Sequence, residues 1–278
     1  MADATSSSAD YALALARGFG GAVLFAFPLL MTMEMWWLGF YMDPTRLLIF
    51  LILNFATVFG LGWFVGFERS ATLRDLFLEA CAAYGIGIVA STVMLAIFGI
   101  LQAGMGASEL VGKVAIQTIP ASLGATLARK QLAVDTEGEA EREDRREERA
   151  GYPGQLFLMA AGALYVSFNV APTQEMLVIA FKMTPIRTAA LVMLSIASLH
   201  AFVYSVGFKG QEPQREMSPL RVFVAYTLAG YGVALCVSVY VLWTFDGFEG
   251  ISEPQIAALV AVMGFPAALG AAVARLVV

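Results

Sequence analysis

The hydrophobic positions of this chain run in long unbroken blocks, and eight of them approach the roughly 20 residues that an α-helix needs to cross a bilayer core about 30 Å thick. The blocks lie at 16–41, 47–67, 76–101, 112–128, 156–181, 188–208, 221–245 and 255–275, with polar or turn-forming residues between them. The pattern predicts an all-α, polytopic membrane protein with eight transmembrane helices. The stretch QLAVDTEGEAEREDRREERAG at 131–151 is charged and nearly free of large apolar groups, so it reads as a cytoplasmic linker. Its Glu and Arg residues at i, i+3 and i, i+4 also suit a helical linker. The expected organisation is a first four-span repeat at 1–130, the linker at 131–154 and a second repeat at 155–278.

The word repeat is justified by the residues. Shifted by 141 positions, FPLLMTMEMWWLGFYMDPTR (27–46) lies on FNVAPTQEMLVIAFKMTPIR (168–187) without a gap. Phe27 meets Phe168, Thr32 meets Thr173, Glu34 meets Glu175, Pro44 meets Pro185 and Arg46 meets Arg187. The register continues to Val65, Gly66 and Phe67 against Val206, Gly207 and Phe208, and after a loop insertion Tyr84 and Gly85 meet Tyr231 and Gly232. PASLGATLAR (120–129) then pairs with PAALGAAVAR (266–275). Shared hydrophobicity alone would not place charges, prolines and glycines in register, which predicts an internal duplication. A four-span unit returns the chain to its starting side, so the copies are expected to be parallel, related by a pseudo-two-fold axis along the membrane normal.

Composition agrees with a membrane protein: 59% of the 278 residues are hydrophobic, 14% are charged, and mean hydropathy is +0.74. Thirteen of the 17 Lys and Arg residues fall on the linker side of the predicted spans, leaving Arg46, Lys113, Lys182 and Arg187 opposite. The positive-inside rule then predicts a bacterial cytoplasmic membrane protein with both termini cytoplasmic. MADATSSSAD lacks a basic n-region, so the first span is expected to be retained. The net charge of -5 argues against a nucleic-acid partner. Cys81 and Cys236, isolated within spans, are expected to be packing residues.

Candidate chemistry sits in the first span of each half. A carboxylate inside a membrane segment costs roughly 2.5–3.5 kcal/mol on insertion scales, so Glu34 and Glu175 suggest a cation or proton site near the pseudo-two-fold axis. A capping or snorkelling role at the outer interface is the alternative. Pro28 and Pro172 would free the carbonyls of Leu24 and Phe168. Thr32 and Thr173 precede the acids as candidate hydroxyl caps, with Asn169 and Gln174 beside them. Asn54, Ser195, His200 and Glu79 are candidate pathway residues, and interhelical hydrogen bonding is the plainer role for the first three. Trp36, Trp37, Trp63 and Trp243 read as interfacial anchors. No phosphate loop, His/Cys metal cluster or nucleophile with an adjacent base is present, so neither enzyme activity nor a cofactor is expected.

FPLLMTMEMW, FNVAPTQEM and the charged linker together resemble a bacterial family of integral membrane proteins that carries a domain-of-unknown-function label. FNVAPTQE is also faintly similar to repeat motifs of cation/calcium exchangers, although those resemble inverted five-span repeats and their residue roles do not transfer. The expected function is a membrane ion channel or secondary transporter, most simply for a cation, with proton coupling as a variant. The expected partners are the lipid bilayer and a small cation or proton, and a homo-oligomer is compatible with the sequence. The alternative function is a membrane scaffold or sensor that acts through the linker.

Overall fold

The computed structural model describes residues 2–65, 72–131, 140–171, 173–205 and 218–277. Pro172, Val206, the pairs Gly66/Gly207 and Phe67/Phe208, linker residues 132–139 and the cations Arg69, Lys209 and Arg215 lie outside them. Helices account for all regular structure among the described residues. The chain forms two compact units, Met1–Asp135 and Thr136–Val278.

In the first unit, α1 (Ala2–Leu30), the short α2 (Met33–Tyr41), α3 (Pro44–Val65) and α4 (Leu73–Ile97) all pack on α5 (Ala107–Gln131). In the second, α6 (Ala140–Val170), the short α7 (Glu175–Lys182), α8 (Pro185–Ser205) and α9 (Pro219–Thr244) all pack on α10 (Glu253–Val277). The last helix of each unit is its centre: 67% of the apolar window of α5 and 61% of that of α10 are buried, against 28% for α3 and 11% for α8. The outer helices turn large apolar side chains outward, including Leu24, Ile52, Ile97, Ile186 and Met193, as lipid solvation requires.

Close backbone approach explains how the central helices pack. A Cβ on Gly124 of α5 would lie 2.5 Å from the Gly21 carbonyl oxygen of α1. In the second unit, a Cβ on Gly270 of α10 would fall against the Gly162 carbonyl oxygen of α6. Small residues substitute in lipid for the hydrophobic drive that is missing there, by letting two backbones touch. α2 reaches α5 in the same way, since a Cβ on Gly39 would lie 2.6 Å from Lys113 N.

Local chemistry sets the helix ends. Pro44 and Pro185 each open a helix, where the missing N–H costs nothing. Asp43 Oδ1 accepts from the N–H groups of Thr45 (2.9 Å) and Arg46 (3.0 Å), and the Arg46 bond above all holds its carboxyl below the usual range. Thr72 and Asp75 close a reciprocal capping box at the start of α4. α6 is bent at Gly151, whose φ of 57° favours glycine, so residues 140–150 are a helical segment of the linker distinct from the span that follows. α9 contains a π-helical turn at Phe223–Leu228, and the Ala225 carbonyl in it accepts from Tyr152 Oη at 2.9 Å.

Two expectations need correction. The blocks 16–41 and 156–181 are not continuous spans: α1 stops at Leu30 and α6 at Val170, and α7 leaves α6 at 94°. Gly151–Val170 covers about 30 Å at 1.5 Å per residue, similar to the thickness of a hydrocarbon core. Seven described helices are long and apolar enough to cross a membrane, and the bent pair supplies an eighth if it counts as one span. The cysteines are also not packing residues, because Cys81 and Cys236 are both exposed on their helices. A thiol is apolar enough to face lipid, which sequence polarity does not distinguish from a core position.

Candidate functional site

The described residues of the two helix breaks share a threonine with the same hydrogen bonds. After α1, Thr32 donates both its N–H (3.1 Å) and its hydroxyl (2.8 Å) to the Leu29 carbonyl. After α6, Thr173 donates its N–H (3.2 Å) and its hydroxyl (2.9 Å) to the Val170 carbonyl, the position 141 residues on from Leu29. The threonines therefore do not cap the helices that follow. Neither α2 nor α7 has a side-chain cap bond, and each threonine closes the carbonyl end of the helix before it. Two further donors reach the first break: Gln117 Nε2 to Leu29 O at 3.4 Å and Trp36 Nε1 to Leu30 O at 2.9 Å. With the Leu29, Leu30 and Val170 carbonyls engaged, the charged groups beside the breaks are the two carboxylates. Glu34 is half-buried in the first turn of α2, and Glu175, exposed, is the first residue of α7. Each acid lies in the first turn of its short helix, near that helix's positive end. Gln174 is exposed beside Glu175, while Asn169 Nδ2 turns back to Tyr165 O at 2.8 Å within α6.

The pathway candidates separate. Asn54, fully buried midway along α3, donates from Nδ2 to Tyr84 Oη of α4 (2.7 Å) and to Ser122 Oγ of α5 (2.9 Å). The orientation of its amide follows from proton supply: Tyr84 spends its hydroxyl proton on Leu51 O and Ser122 on Ile119 O, so both oxygens can only accept. Asn54 Oδ1 is then left without a protein donor. Its counterpart Ser195 is buried but returns its hydroxyl to Leu191 O of its own helix at 2.8 Å. His200 Nδ1 lies 2.9 Å from Thr227 Oγ1 in the π turn, with its ring 5.1 Å from that of Phe223, a local role in the second unit. Glu79 sits beside Gly62, 18 residues along α3 from Pro44, so about 27 Å of helix separates it from the α2 end of its unit.

Sequence reading missed one feature of the first unit. A cleft of about 540 Å³ opens between α2, the turn after α4 and the start of α5. Trp36, Trp37, Phe40 and Phe98 line it, together with the ion pair Lys113 Nζ to Glu109 Oε1 at 2.6 Å. Lys113 is only 9% exposed. Gln117, one turn further along α5, is fully buried and its Oε1 has no protein donor. The signal was present in the spacing Glu109, Lys113, Gln117, which places three polar groups on one face of an otherwise apolar helix. Counting Lys113 only in the charge balance concealed it.

Crossing-length apolar helices, with lipid-facing apolar surfaces and engaged backbone ends, define an integral membrane protein. This chain belongs to the DUF2391 family, whose description reads "Putative integral membrane protein (DUF2391)" and whose model matches residues 14–278. No curated protein and no solved structure matches the chain.

Proposed function

We propose that the protein moves a small cation across a bacterial cytoplasmic membrane, as a channel or secondary transporter, with its halves built as parallel repeats and both termini cytoplasmic. The observation that carries the reading is the repeated break: in each half the first crossing ends, a threonine closes its carbonyls, and a short helix opens on a carboxylate. Broken helices are a recurring device for ion sites in transporters. Helix bounds support the duplication. α3 and α8 both begin at the repeated proline, 141 residues apart, and α5 and α10, 146 apart, match at both ends. Outward-facing acids at the hydrocarbon edge concentrate cations at a mouth, which suits a net charge of -5 and a mainly apolar interior.

Reconstitution tests this directly. Proteoliposomes carrying the protein are expected to move Na+, K+, an organic ammonium ion or protons down an imposed gradient, with a rate proportional to protein content. Vesicles that stay sealed to all four under gradients of either polarity contradict the reading.

A further inference from the structure

The cleft of the first unit deepens the transport reading, because it indicates what kind of cation is bound. In the register of the repeats, Trp36 and Trp37 correspond to Leu177 and Val178, while Glu109 and Lys113 correspond to Gln255 and Leu259. One framework thus accepts uncharged, non-aromatic residues at these places, and Leu259 of α10 is fully buried. A mostly buried ion pair gives little net stability over such apolar packing. Helix packing therefore does not explain why the first unit carries charge and indole rings here.

We propose that this cleft seats a small organic ammonium ion, with Glu109 as its counter-charge, and that Lys113 occupies the carboxylate until the ligand displaces it. The choice of a cation follows from access: the Glu109 side chain is 25% exposed and that of Lys113 11%, so a ligand entering the cleft meets the carboxylate first. Aromatic faces are negative, and Trp36, Trp37, Phe40 and Phe98 supply four rings. An organic cation is favoured over a bare metal ion because hard metal ions are usually held by several carboxylates, and Glu109 is the one carboxylate among the lining residues. Among the described residues no group of three or more His, Cys, Asp or Glu side chains is placed to hold a metal. A space of about 540 Å³ also exceeds what an unhydrated ion fills. Lys113, itself a tethered primary ammonium, shows that the seat accepts this chemistry.

The test uses the full chain in detergent with Trp63→Phe and Trp243→Phe, so that fluorescence reports Trp36 and Trp37. Tetramethylammonium chloride is titrated against sodium chloride at constant ionic strength. Tetramethylammonium is expected to give a saturable change that sodium does not. Glu109→Gln is expected to weaken it on the order of tenfold, and Lys113→Met, which removes the internal competitor, to tighten it by a similar factor. Trp37→Ala, at an exposed position, is expected to weaken binding without moving the melting temperature, which keeps the test open if Lys113→Met does not fold. An identical response to sodium, no saturable response, or weaker binding in folded Lys113→Met overturns the proposal. Because binding is measured without vesicles, a protein that binds tetramethylammonium but transports nothing refutes only the transport reading. One that transports cations but leaves the cleft silent refutes only the cleft.

Discussion

Gly124→Val is expected to lower the melting temperature by about 10 °C or to prevent recovery of folded protein. The Cβ would sit 2.5 Å from both Gly21 O and Phe25 Cβ, and both atoms belong to α1. Relief requires α1 and α5 to separate along their contact, and overpacking of this kind costs about 3 kcal/mol. At roughly 2–4 °C per kcal/mol for a chain of this size, the shift is easily read by thermal unfolding in detergent. Gly270→Val tests the same contact in the second unit, where Gly162 O and Val166 stand in the way. Gly85→Ala and Gly232→Ala are the controls, since a Cβ at either position meets nothing within 4 Å. They should be neutral or slightly stabilising, because alanine is the better helix former by up to about 1 kcal/mol. Equal losses at all four positions would show that the glycines serve flexibility rather than contact.

Neutralising both acids, Glu34→Gln with Glu175→Gln, is expected to reduce cation flux in proteoliposomes on the order of tenfold at low salt. The salt dependence distinguishes two roles for the carboxylates. In the proposed role they would act by raising local cation concentration, an effect screened when the Debye length falls to about 3 Å at 1 M salt. The account therefore predicts that the deficit shrinks strongly at high salt and that Glu→Asp at both sites restores flux. A deficit unchanged at 1 M salt would place the acids in direct, desolvated contact with the ion. Glu34, half-buried, should contribute more than the exposed Glu175.

The crossing helices were legible in the sequence because length and hydrophobicity alone decide a membrane span, and Pro44 and Pro185 marked where α3 and α8 begin. The 94° departure of α7 was not, since EMLVIAF continues the apolar block that begins in α6. Hydropathy measures whether a segment tolerates lipid, and a short helix lying at the membrane edge tolerates it equally well. Thr32 and Thr173 were legible as break residues but not in their direction: a hydroxyl can close the helix before it or start the one after it, and only geometry selects Leu29 O and Val170 O. Asn54 was found by its polarity, but its bond to Ser122, 68 residues away, required the packed unit. The aromatic cleft depends on α2 folding down onto α5 at Gly39 and Gly112, a contact that no local pattern encodes.

The central claim is that one four-span frame is written twice in the same orientation, so that both breaks and both acids reach the same face of the membrane. Cysteine accessibility measures this most directly. With Cys81→Ala and Cys236→Ala as background, Glu34→Cys and Glu175→Cys are each introduced and treated with a membrane-impermeant maleimide on intact cells. The account predicts that both are labelled from outside, whereas labelling of one from outside and the other only after the membrane is opened would contradict it.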